Sequence, residues 1–66
     1  MVSRMNKNWY YMKKDRRKCG PFSEEECIRL IRQEIIEPSD FIWNTYMENW
    51  LRLSDSIYSF YIPGNK

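Results

Sequence analysis

Sixty-six residues with a net charge of +2, 42% of them hydrophobic and 30% charged, make one small globular domain rather than a disordered chain. A chain this short buries only about 60% of its unfolded surface, which leaves no room for a large enclosed active site. It has no histidine, and its two cysteines are too few for a disulfide scaffold or a four-ligand zinc site. The carboxylates are not paired in an apolar context, and neither the serines nor the cysteines have a histidine to activate them. The expectation is therefore a non-enzymatic protein without cofactor or metal. No apolar run approaches the roughly 18 residues of a membrane span, and the start shows no secretory h-region. A soluble, cytoplasmic domain with reduced thiols is expected, while a longer anchored parent chain stays open. The 17% aromatic content, three Trp, five Tyr and three Phe, suits both a small core and a flat peptide-binding surface.

In chain order, residues 1–7 carry no periodicity and read as a flexible lead-in. "NWYYM" is aromatic-rich and predicts a short strand. "KKDRR" fits a hairpin tip, and "KCGPF" the returning strand, ended by Gly20 and Pro21. Proline donates no ladder hydrogen bond, so this strand should be short or lie at an edge. Ser23 to Glu26 then spells S-x-x-E, the capping box in which serine and glutamate satisfy each other's backbone donors. Behind it Cys27, Ile28, Leu30, Ile31 and Ile35 recur at three- and four-residue spacing, predicting an amphipathic helix of about eleven residues. Cys27 on its apolar face reads as a small buried hydrophobe.

"EPSD" is a loop, because Pro38 stops helical continuation. "FIW" predicts a strand, "NTYMEN" a turn leading to "WLRL", and "SDSI" a short helical turn from Ser54. "YSFYI" alternates weakly and suggests an edge strand before "PGNK". Strand, strand, helix, strand, strand is an α+β order: one amphipathic helix on a small antiparallel sheet.

"WYY" at Trp9–Tyr11, "GPFS" at Gly20–Ser23, and the pair Trp43 and Trp50 around Met47 follow one another in a fixed order. Together they resemble the GYF domain, more closely its second, mostly bacterial branch, over Trp9 to about Ile57. The resemblance implies a β-β-α-β-β domain over residues 8–58, followed by a tail at 59–66. It implies a non-enzymatic adaptor whose better-known members bind proline-rich peptides. In those members the proline rings lie on an aromatic surface in an extended polyproline conformation. Carried across, two of that surface's positions fall on Tyr11 and Phe22, both retained. The family's helix tryptophan falls on Leu30, its Gly-Tyr-Phe on Glu34, Ile35 and Ile36, and a further strand aromatic on Lys13. The glycine usual before Met47 is Tyr46 here, so any left-handed residue in that turn is expected at Asn44 instead.

Phe22, between a turn and a cap, suits both a core plug and a pocket wall. Trp9, Trp43 and Trp50 read first as structural anchors, and Leu30 and Ile35 as core. The candidate peptide contacts are Tyr11, Phe22, Leu30, Ile35 and Trp43. A second reading takes Lys13, Lys14, Arg16, Arg17 and Lys18 as an anion-binding finger for nucleic acid or an anionic membrane. Set against it are the six acidic residues between Glu24 and Asp40. A third reading is a structural docking or self-association domain with an apolar patch around Trp43 or the tail.

Overall fold

A computed structural model describes residues 7–64. The aromatic run Trp9–Met12 forms β1, and Lys18–Phe22 returns antiparallel to it as β2. Their tip is closed by Arg16 N–H donating to the Lys13 carbonyl (2.9 Å) and Arg17 N–H to the Asp15 carboxylate (3.0 Å). Arg16 takes the left-handed conformation there, with φ 66°. β2 covers the whole of "KCGPF" at a sheet edge, as expected, and runs through Gly20-Pro21 to Phe22 rather than ending at them. The reason lies in the pairing: Trp9 faces Phe22 and Tyr11 faces Cys19, so β2 carries one extra residue opposite Tyr10. β2 is an edge strand of the order β2-β1-β3-β4, where a proline leaves one neighbour's ladder intact at a bulge.

Helix α1 spans Glu24–Arg32, and both capping-box bonds form: Glu26 N–H to Ser23 Oγ (3.1 Å) and Ser23 N–H to Glu26 Oε1 (2.9 Å). It has nine residues and ends sooner than its apolar spacing suggests. Glu34 turns left-handed at φ 65°. Its N–H donates to the Ile31 carbonyl and that of Ile35 to the Leu30 carbonyl, both at 3.0 Å, which is the Schellman closure. Ile35 therefore lies beyond the helix and is 43% exposed, while Ile36 takes the buried place.

β3 (Phe41–Asn44) pairs with β1, and the two-residue β4 (Leu51–Arg52) with β3. In the turn between them neither Asn44 nor Tyr46 adopts positive φ. The Asn44 side chain instead accepts from Tyr46 N–H (2.8 Å) and its carbonyl from Met47 N–H (2.9 Å), a turn that any residue at 46 can enter. A 3-10 turn at Leu53–Asp55 follows, where "SDSI" predicts it.

The tail is not an edge strand: Ile57–Tyr61 is a second 3-10 segment. Ser56 Oγ accepts from Tyr58 N–H (3.1 Å) and donates to the Leu53 carbonyl (2.8 Å). Tyr58 and Tyr61, three apart, stack at 6.1 Å, which a three-residue turn permits and a strand's alternation forbids. Trp9, Cys27, Ile31, Ile36, Ile42 and Leu53 form the core, with Tyr58, Tyr61 and Ile62 packed against it. The fold is α+β, a four-stranded antiparallel sheet with one helix. Helix and tail pack on one face of that sheet, the face of Trp9, Tyr11 and Ile42; strand alternation sends Tyr10, Met12, Phe41 and Trp43 to the other.

Candidate functional site

The bulge in β2 decides which side chains meet. Because Phe22 pairs with Trp9, and Cys19 with Tyr11, all four belong to the helix face. Tyr11 and Phe22 are diagonal neighbours there, their rings stacked with centroids 5.8 Å apart and planes 14° from parallel. Each packs one side against the core and leaves the other partly exposed. Phe22 thus supports the core and contributes to the surface. Burial is the main cause that raises the Tyr11 hydroxyl above its ordinary pKa, and Cys19 beside it adds to the effect. At neutral pH the phenol is therefore a neutral donor.

Leu30 is half-buried against the core, and Ile35 is exposed beyond the helix end. Trp43 stands apart from these four. Its partner across the strands is Tyr10, so it lies on the outer face, stacked on Trp50 (5.8 Å) and tilted against Tyr10 (5.6 Å). Its indole N–H donates to the Met47 carbonyl at 2.9 Å, closing the β3–β4 turn. Two clefts, of about 400 and 540 Å³, lie away from the Tyr11–Phe22 pair.

The five cations of the hairpin have different surroundings. Lys13 Nζ donates to the Asp40 carboxylate (2.6 Å) and to the Ile35 carbonyl (2.9 Å). The Asp40 hydrogen bond is the main cause that raises the Lys13 pKa. Arg17 lies 3.5 Å from Asp15, and Lys18 sits over the Tyr10 ring at 4.9 Å. Among the described residues Lys14 and Arg16 have no carboxylate partner.

Asp40 is the residue that sequence reasoning missed. It is 2% exposed, accepts from Glu37 N–H (2.8 Å) and ties the hairpin to the loop after α1. A short-range signal existed in "EPSD", an aspartate three residues after Glu37, but its pairing with Lys13 spans 27 positions. Tyr58 is a second omission: its hydroxyl donates to Glu24 (2.6 Å) and its ring meets Trp9 edge-on at 5.1 Å. Cys19 and Cys27 are free, and burial pushes the Cys27 thiol up to about 11, which leaves it protonated and unreactive. No group of His, Cys, Asp and Glu among the described residues could hold a metal ion, and no described helix is long and apolar enough to cross a membrane.

Among curated proteins and among solved structures nothing matches the chain. The model of one family, described as GYF domain 2, matches residues 9–56. That span runs from the first residue of β1 to the serine that caps the tail segment, and takes in the whole sheet, the helix and the Tyr11–Phe22 pair. The chain therefore belongs to the GYF domain family.

Proposed function

We propose that this chain is a non-enzymatic adaptor that binds an extended peptide, proline-rich segments first, across the Tyr11–Phe22 surface. GYF domains are interaction modules that bind proline-rich peptides. The observation that carries the reading is the near-parallel stack of two half-exposed rings. It offers two adjacent, rigid faces of the kind on which proline rings pack. Leu30 and Ile35 extend the surface as aliphatic side chains, so the affinity is lower than four rings would give. Two reduced thiols suit a cytoplasmic setting.

Binding on such a surface is apolar and should change little between low and high salt. Tyr11→Ala should abolish it while far-ultraviolet circular dichroism stays native. Phe22→Leu, which keeps the core volume, should weaken it without unfolding the domain. Ile35→Tyr adds a ring at an exposed position and should tighten binding roughly 2- to 10-fold. Fluorescence anisotropy with a labelled proline-rich peptide reads all three. Unchanged affinity in both Tyr11→Ala and Phe22→Leu would remove the reading.

A further inference from the structure

We propose that the outer face of the sheet, opposite the peptide surface, is a second binding site, for single-stranded nucleic acid. The register of the four strands sets out two rows of side chains across that face. Lys18, Met12, Phe41 and Arg52 form one, since Lys18 pairs with Met12, Met12 with Phe41, and Phe41 with Arg52. The row carries a cation at each edge of the sheet. Both cations lie over rings: Lys18 over Tyr10 at 4.9 Å and Arg52 over Phe41 at 5.5 Å. The other row is aromatic throughout, Tyr10 against Trp43 and Trp43 against Trp50, with centroids 5.6 and 5.8 Å apart.

Beside these rows opens the cleft of about 400 Å³. Met12, Phe41 and Trp50 supply its apolar walls; Lys13, Lys14 and Arg16 of the hairpin tip also line it, and since Lys13 is paired with Asp40 its charge comes from Lys14 and Arg16. Its volume is that of a small-ligand site, enough for a base with its sugar. A planar ring against Phe41 or Trp50 would bring its phosphate toward Lys14 and Arg16, which have no carboxylate partner among the described residues. Stacking on exposed rings beside a cationic groove is how single strands are held without sequence preference.

Charge separates the two faces of the molecule. Glu24, Glu25 and Glu26 lie in the first turn of α1, and Glu34 and Glu37 follow the helix. Neither outer row contains a carboxylate; of those close by in sequence, Asp40 before Phe41 is buried and paired with Lys13, Asp15 is beside Arg17 at the hairpin tip, and Glu48 lies in the turn before Trp50. A polyanion is repelled from the helix side and attracted to the outer face. An acidic peptide would satisfy the cations but has no use for a continuous row of three rings, which favours bases as the occupant.

The experiment titrates the full 66-residue chain with oligo-U and oligo-dT of about ten nucleotides, within the site sizes of such surfaces. A duplex of equal length, poly-glutamate and phosphatidylserine vesicles serve as competitors. Amide shifts should gather on Tyr10, Met12, Phe41, Trp43 and Lys14 and spare Phe22, which separates this site from the peptide surface. Lys14→Gln with Lys18→Gln should lower the salt slope by about 1.4, two single-strand phosphate contacts. Phe41→Leu, which keeps the wall apolar, should cost roughly fivefold or more in affinity through lost stacking. The proposal is overturned if the oligonucleotides bind no better than poly-glutamate or duplex, if only vesicles bind, or if Phe41→Leu binds like the parent.

Discussion

At Gly20, φ is 143°, and a Cβ built there would lie 2.7 Å from the Trp9 carbonyl oxygen and 2.7 Å from Tyr10 Cδ2. The bulge that sets Tyr11 beside Phe22 therefore has room for glycine alone. Gly20→Ala should cost about 3 kcal/mol in urea unfolding, from backbone strain and the contact with β1 together. Glu34 presents the opposite case. It holds φ 65° at the position after a helix where glycine is favoured, and it puts a negative charge at the negative end of the dipole. Glu34→Gly should raise stability by about 1 kcal/mol; no gain would mean that the left-handed turn is unstrained. The two thiols should separate in the same way. In the folded protein a disulfide reagent should modify half-buried Cys19, whereas Cys27, buried and raised to about 11, should react only on unfolding.

Elements were legible in the sequence wherever their signal is local. The capping box, the helix stripe and the aromatic strands could all be read within a few residues. The end of α1 could not, because the residue that turns the chain is a glutamate, whose preference gives no warning. The tail's 3-10 form is not legible locally, because its alternation is weak and that form depends on Ser56 bonding to Leu53 and on Tyr58 reaching Glu24. Half of the candidate site depended on register, a long-range property. Tyr11 and Phe22 come together only through the bulge, and Trp43 leaves their face because it pairs with Tyr10. The tie between Lys13 and Asp40 is long-range as well, and it links the hairpin to the loop after α1. Lys13→Met leaves a buried carboxylate with one remaining backbone donor. Since Lys13 is itself 36% exposed, the expected loss is only about 1–2 kcal/mol. The same variant should lower hydrogen-exchange protection in residues 35–40 first.

On the scale of the whole molecule, the perturbed acids and bases point one way at high pH. Cys27 and Tyr58 are raised chiefly by burial, Tyr58 also by Glu24, and Lys13 by its hydrogen bond to Asp40. Each holds its proton more tightly when folded. Its stabilising contribution is complete below the unfolded value and is lost as pH rises through the folded one. The urea midpoint should therefore hold steady from neutrality to about 9, the ordinary cysteine value, and fall above it. Cys27→Ala should remove part of that fall. Glu26 acts at the acid end: Ser23 N–H lowers its pKa below the ordinary 4.5, so its contribution is present above that value and lost as pH falls. The domain also has two faces of unlike chemistry, an apolar ring pair beside an acidic helix and an aromatic, basic sheet surface. Peptide binding belongs to the first face, and a nitrogen-15 amide titration of the 66-residue chain with a proline-rich peptide is its sharpest test. Shifts should centre on Tyr11, Phe22 and the first turn of α1, with the outer-face amides of Tyr10 and Trp43 unmoved. Saturable shifts confined to the outer face, or none at any peptide concentration, would contradict it.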